Sequence, residues 1–321
     1  MTTIKNTNKS SIILAAEALK EGNLVSFPTE TVYGLGGDAT NNLAIAKIFE
    51  TKNRPKFNPL IIHFSSFDQI EENCEINDDI KKLSDLFWPG PMTVILKKKK
   101  KSKISELASA SLDTVGVRIP NNTTALKLIK YFGKPIAAPS ANTSSSLSPT
   151  EADHVFDYFK NDKNLSIILD GGSTKIGLES TIINITNDEI HILRHGGVSA
   201  EELKEKFPQR IINIEQKTNE KIISPGMLSK HYSPVVPLRI NAEKAEKNEL
   251  LIGFGPNYNA PNLSFEGNLV EAASNLFSFL ARYQKKYSKI AIAPIPNKGI
   301  GRAINDRIKR ATSKNQAVGN S

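Results

Sequence analysis

Apolar residues in this chain fall into short runs whose period alternates between helix and strand. Ile12, Ile13, Ala16 and Leu19 are spaced as one face of a helix over residues 11–20, and Gly22 follows where such a helix would stop. A short apolar strand is predicted at 24–27, and it enters a loop rich in glycine and threonine, residues 28–37. Helical spacing returns at 44–52, where Pro55 prevents continuation. Strands are predicted at 60–64 and 92–96, with a helix-like segment at 80–87 between them. Residues 115–120 alternate, placing Val115, Val117 and Ile119 on one face and Arg118 on the other. Further strands are expected at 135–138, 167–172, 180–185 and 190–194.

After Phe207 the composition turns polar, and a proline-bounded segment, residues 224–234, reads as a linker. Beyond it a strand at 250–254, a helix at 269–283, a strand at 290–294 and a helix at 303–312 predict a small Rossmann-like βαβα unit. That unit lacks G-x-G-x-x-G. The pattern divides the chain into a larger domain over 1–207, a linker over 208–237 and a smaller domain over 238–321. The expected class is α+β, a mixed α/β arrangement of one twisted sheet with helices plus the small unit.

Composition supports a packed protein: 39% of the 321 residues are apolar and 23% charged. No run approaches the ~20 apolar residues of a membrane span, and residues 1–10 lack a signal-peptide core. The lone Cys74 cannot form an internal disulfide. A soluble, cytoplasmic protein without a membrane partner is therefore expected. The net charge of +9 favours anionic partners, nucleotides and RNA among them. The densest charge, residues 97–101 with Lys103 following, reads as a solvated turn after a strand.

Metalloprotease, P-loop and α/β-hydrolase signatures are missing, and no metal-ligand cluster is expected. What remains is a set of cations and hydroxyls at strand ends, a composition suited to holding phosphates and orienting substrates. Lys52 and Arg54 could neutralise adjacent phosphate oxygens, the arginine through its fork and the lysine as a mobile point charge. The Ser140-Ala141-Asn142 step offers small polar groups beside a strand end. Each fragment alone is better explained by a plain helix end or turn. Glu30 reads as a solvated or capping loop carboxylate and is left out of the site.

Taken in order, these fragments resemble the YrdC/Sua5 family of threonylcarbamoyl-AMP synthases. Lys52-x-Arg54 and Ser140-x-Asn142 follow Pro28-Thr29-Glu30-Thr31-Val32-Tyr33-Gly34-Leu35-Gly36. The similarity continues through Gly90-Pro91-Met92-Thr93, the strand ending Arg118-Ile119-Pro120, Asp170-Gly171-Gly172 and Glu179-Ser180-Thr181. It spans essentially the whole chain, because the linker and residues 299–307 resemble the long, two-domain Sua5 form. His195 stands where proline is usual, and Ser173-Thr174-Lys175 replaces a more apolar stretch.

The resemblance implies a YrdC-like twisted sheet with a concave basic face. It also implies a reaction of L-threonine, bicarbonate and ATP, with Mg2+ accompanying the triphosphate, to give threonylcarbamoyl-AMP and pyrophosphate for N6-threonylcarbamoyladenosine at position 37 of tRNA. A downstream threonylcarbamoyl-transferring machinery, and tRNA itself, are the implied partners. Carried over residue by residue, Thr31, His63, Arg118, Ala138 and Ser180 would contact threonine, with Arg118 on its carboxylate. Lys52, Arg54, Asn58, Thr114, Ser140, Asn142, Ser148 and Arg194 would surround ATP, with Lys52 and Arg54 as the catalytic cations. His231 and Tyr232 in the linker would reach the nucleotide and cover the site mouth. The competing readings are a basic module that binds double-stranded RNA or tRNA without catalysis, and a carbamoyl-transferring enzyme of the same fold.

Overall fold

Strand alternation along residues 24–27 sends Leu24 into one buried cluster and Val25 and Phe27 into another, so both faces of a central sheet are covered. The computed structural model describes residues 2–186, 188–214 and 232–312. In chain order its elements are β1 (Thr3–Asn6), α1 (Lys9–Lys20), β2 (Leu24–Phe27), β3 (Gly34–Asp38), α2 (Asn42–Lys52), β4 (Ile61–His63), α3 (Phe67–Asn73), α4 (Asp78–Phe87), β5 (Met92–Lys97), β6 (Thr114–Arg118), α5 (Thr123–Phe132) and β7 (Ile136–Ala137). They continue with α6 (Ala152–Phe159), β8 (Leu165–Asp170), β9 (Thr181–Thr186), β10 (Glu189–Arg194), α7 (Ala200–Lys206), β11 (Ile211–Asn213), β12 (Leu238–Arg239), β13 (Leu250–Ile252), α8 (Leu269–Tyr283), β14 (Ile290–Ile292) and α9 (Gly301–Thr312).

The mixed α/β class is as expected. Eleven strands form one sheet in the order β1-β8-β2-β3-β7-β4-β6-β5-β9-β10-β11, with parallel and antiparallel neighbours. Helices α1 and α5 pack on one face through Ile12, Leu19, Leu128 and Phe132. The other face buries Phe49 of α2, Leu83 of α4, Val155 of α6 and Leu203 of α7. Asparagine caps several of these helices: Asn8, Asn41, Asn77 and Asn122 accept backbone N–H bonds at the starts of α1, α2, α4 and α5. Each such cap is worth about 1 kcal/mol.

A separate, all-parallel sheet β12-β14-β13 carries α8 and α9 and has its own core, including Leu276, Phe277, Ile292 and Ile304. Residues 211–213, placed within the expected linker, pair with β10 as an edge strand of the large sheet. Most of the remaining linker, including His231, lies outside the described residues.

Three local expectations change. Residues 34–38, read as loop, form β3, where Gly36 packs so closely on Phe27 and Ile136 that a Cβ would fall 2.6 and 2.9 Å from them. The polar opening supplies β1, which pairs in parallel with β8. The lysine turn is engaged as well as solvated: Lys97 pairs with Glu75 at 2.9 Å, Lys98 with Glu106 at 2.8 Å, and Lys99 donates to the Glu71 carbonyl. Among the described residues no helix is long and apolar enough to cross a membrane.

Candidate functional site

The ends of β4, β6 and β10 and the turns after β2 and α2 converge on one cleft. The turn after β2 is held by Thr29, whose hydroxyl donates to the Val32 carbonyl at 2.7 Å and accepts from the Thr31 and Val32 amides. This fixes Thr31 Oγ1 where Arg118 Nη1 donates to it at 3.0 Å. Arg118, the last residue of β6, also donates from Nε to the Gly90 carbonyl at 3.1 Å. Its Nη2 lies 2.7 Å from Glu30 Oε1, a charge contact not aligned as a hydrogen bond.

His63 sits beside Arg118 in the parallel register of β4 and β6, edge-on to the Phe27 ring. Its Nδ1 has no hydrogen-bond partner. Burial, and then the charge of Arg118, bring its pKa down to about 3, so the imidazole is neutral. Ser180, just before β9, shares its hydroxyl with Thr93 at 2.8 Å and with Arg194 Nη2 at 3.1 Å, while Arg194 Nε donates to the Ser180 carbonyl at 3.1 Å. Gly196 makes this approach feasible, because a Cβ there would lie 2.3 Å from the Glu179 carbonyl oxygen and the Ser180 carbonyl carbon.

The opposite wall begins where α2 ends. Asn53 caps the helix in the left-handed region at φ 50°, turning the chain so that Arg54 points back toward the cleft. Arg54 donates from Nε to the Asn58 carbonyl at 3.3 Å and from Nη2 to the Pro59 carbonyl at 3.0 Å. Ser140, Glu179 and Tyr232 complete this side. Burial alone would push Glu179 up, but Arg307, Arg194 and the Ser148 hydroxyl outweigh it and hold the carboxyl at about 2.

The cleft is narrow, with a cavity volume of about 50 Å³. Its charge distribution is uneven. Arg118 has Glu30 as a counter-charge, whereas among the described residues no carboxylate oxygen lies within 4 Å of Arg54 or Arg194. Burial and the neighbouring Arg194 lower the Arg54 pKa to about 10, the signature of two cations held near each other. Such an arrangement attracts an anion with several negative oxygens.

Of the anticipated residues, Thr31, Arg54, His63, Arg118, Ala138, Ser140, Ser180, Arg194 and Tyr232 line this cleft. Four others stand behind it. Lys52, 2% exposed, is not a mobile charge: its Nζ is tied to the carbonyls of Ser140 at 2.6 Å and Asn142 at 2.5 Å. Burial and then Arg54 push its pKa well below the usual lysine value. Asn142 is buried and braces the turn through Thr143 and Ser146, and Asn58 supports Arg54 through its backbone. Ser148 donates to Glu179. Thr114 is not brought to the cleft at all. It opens β6, four residues or roughly 13 Å from Arg118, and lies beside Lys97.

Three residues absent from the anticipated set complete the site. Glu30 is 6% exposed rather than solvated, and an arginine on a strand that must be covered on both faces was a signal for a nearby carboxylate. Glu179 lay within a recognised motif without an assigned role. Arg307 occupies a core position of α9: Ala303, Ile304, Arg307, Ile308 and Ala311 share one buried face at helical spacing. A cation in that pattern calls for a buried partner.

Comparison with known proteins bears on the whole chain. The family model described as "Telomere recombination", covering Sua5, YciO and YrdC, matches residues 17–196, and the one described as "Threonylcarbamoyl-AMP synthase, C-terminal domain" matches residues 198–313. A threonylcarbamoyl-AMP synthase of Pyrococcus abyssi is 38% identical over 94% of this chain and 94% of its own. One of Bacillus subtilis is 36% identical over 95% and 94%. The crystal structure of P. abyssi Sua5 complexed with L-threonine superposes with a TM-score of 0.86 at 36% identity, covering 97% of both chains.

Proposed function

The chain belongs to the Sua5 family of threonylcarbamoyl-AMP synthases, and from that premise we propose that it joins L-threonine, bicarbonate and ATP in this cleft as a nucleotidyltransferase. The observation that carries this reading is the split charge of the cleft: Arg118, with Glu30 beside it, on one wall, and Arg54 with Arg194, which have no carboxylate oxygen within 4 Å among the described residues, toward the other.

Threonine would place its carboxylate on Arg118, whose fixed guanidinium suits a carboxylate fork, with its remaining polar groups near Thr31, His63 and Ser180. A neutral His63 leaves a ring nitrogen for hydrogen bonding and adds no second positive charge beside Arg118. The threonine amine and bicarbonate combine to a carbamate with loss of water. A carbamate oxygen then attacks the α-phosphorus, and the bond to the β-phosphate oxygen breaks with its electron pair leaving on pyrophosphate. Arg54 and Arg194 would neutralise the triphosphate as this charge moves.

Glu179 in the cleft and Glu30 behind Arg118 are each engaged by an arginine, and among the described residues no acidic cluster could hold a metal. Mg2+ would therefore enter as part of the substrate, bound to phosphate oxygens and water. The product fits a role ahead of N6-threonylcarbamoyladenosine formation on tRNA, with a separate threonylcarbamoyl transfer step to follow.

Pyrophosphate release from ATP, measured with bicarbonate present and with threonine added or omitted, tests this function. Release that depends on threonine is expected. Release indifferent to threonine would reject it.

A further inference from the structure

One side chain of the small C-terminal unit contacts two residues that line the cleft. Arg307 of α9 is fully buried, and each part of its guanidinium has a separate partner: Nε donates to Glu179 Oε2 at 2.8 Å, Nη2 to the His195 carbonyl at 2.9 Å and Nη1 to Asp306 at 2.6 Å. Its guanidinium lies 4.9 Å from the centre of the Tyr232 ring. Glu179 and Tyr232 line the cleft, and His195 directly follows Arg194.

We propose that Arg307 is a positioning residue for the reaction, acting through Glu179 so that the second unit completes the active cleft; this rests on the function proposed above. Glu179 is covalently next to Ser180, whose carbonyl and hydroxyl both hold Arg194. Gly196 packs against the same Glu179–Ser180 backbone without room for a methyl group. A shift of the Glu179 side chain is therefore transmitted to Ser180 and Arg194, the groups that would meet threonine and phosphate.

The charge matters as well as the position. The charged and titratable groups facing Glu179 are Arg307 from α9 (itself paired with Asp306), Arg194 from β10, Lys52 from α2, and Tyr232. Arg307 is the only one of them ion-paired to it. If Arg307 loses its charge, burial is opposed by Arg194 and the Ser148 hydroxyl alone, and the Glu179 pKa rises. A protonated Glu179 loses the charge that holds the Ser148 hydroxyl and attracts Arg194, so it no longer fixes the Ser180–Arg194 geometry.

The test compares threonine-dependent pyrophosphate release between pH 6 and 9 for the full-length wild type, R307Q, R307K and the double variant R307Q/E179Q. R307Q is expected to lose at least tenfold in kcat/KM at pH 6 and to recover toward the wild type at pH 9, as Glu179 ionises again. R307K, which keeps the charge, is expected to lack this acid limb, and R307Q/E179Q to stay low at every pH. A purely structural role would lower all pH values alike. R307Q within twofold of the wild type, or a loss independent of pH, would overturn the proposal. Should R307Q not fold, the double variant, which buries no unpaired charge, is read in its place. Wild-type activity there, or a loss that tracks a lowered melting temperature, overturns the proposal, and a tenfold loss in kcat/KM at the wild-type melting temperature supports it. Absence of threonine-dependent release from the wild type itself would instead reject the proposed function.

Discussion

His63 and Arg118 stand directly across from each other in the parallel register of β4 and β6, so a neutral imidazole and a permanent cation share one wall of the cleft. Burial makes protonation of His63 unfavourable, and the adjacent Arg118 charge reinforces it.

That relationship has a consequence for stability. An unfolded histidine takes up a proton near pH 6.5, whereas His63 in the fold resists protonation down to about pH 3. Between these values the unfolded chain binds more protons, so acidification favours unfolding. Burial lowers His154 and His195 as well, so the comparison must be made against a variant. Urea unfolding of the wild type and H63N between pH 6.5 and 5 is expected to differ in slope by up to about 1.4 kcal/mol per pH unit, the variant being less sensitive to acid. Parallel curves would contradict a buried, neutral His63.

Arg54 is half-buried, and its bonds end on the backbone of Asn58 and Pro59. Arg54→Ala is expected to leave the melting temperature nearly unchanged while lowering turnover by about 10²–10³, the usual cost of losing charge stabilisation in a closed site. Steady-state pyrophosphate release and a thermal melt on the same sample check both halves. An active R54A variant would remove it from the phosphate site.

Lys52 makes the opposite expectation. Its ammonium group bonds the carbonyls of Ser140 and Asn142, so Lys52→Met would leave the Asn142 carbonyl without a partner and the Ser140 carbonyl with only the Asn142 amide, at a cost of about 1–3 kcal/mol. Denaturant unfolding should register this loss, and ATP turnover should fall with it because Ser140 lines the cleft. Unchanged stability would return Lys52 to the role of a phosphate-facing charge.

Much of this site was legible in the sequence, and the gaps have physical causes. Arg118 could be placed opposite a buried strand face because alternation is a local property, and strands at 60–64 and 115–120 emerge from the same rule. Lys52 and Arg54 were visible as a pair, but their division of labour was not. It depends on the left-handed turn at Asn53, which sends one side chain inward to backbone carbonyls and the next toward the cleft. Glu30 pairs with a residue 88 positions away, and Glu179 with one 128 positions away. No local spacing reports such contacts, although an arginine on the apolar face of α9 announces that one must exist. Strand β3 was hidden because its glycines are selected by close packing on Phe27 and Ile136 rather than by strand propensity.

The central claim is that one cleft unites threonine, bicarbonate carbon and AMP. The most direct measurement supplies ¹⁴C-bicarbonate, ³H-threonine and ATP to the full chain and separates the nucleotide products rapidly. The account expects one species carrying ¹⁴C, ³H and adenine in equal proportion, formed in step with pyrophosphate. Pyrophosphate without a doubly labelled nucleotide would contradict it.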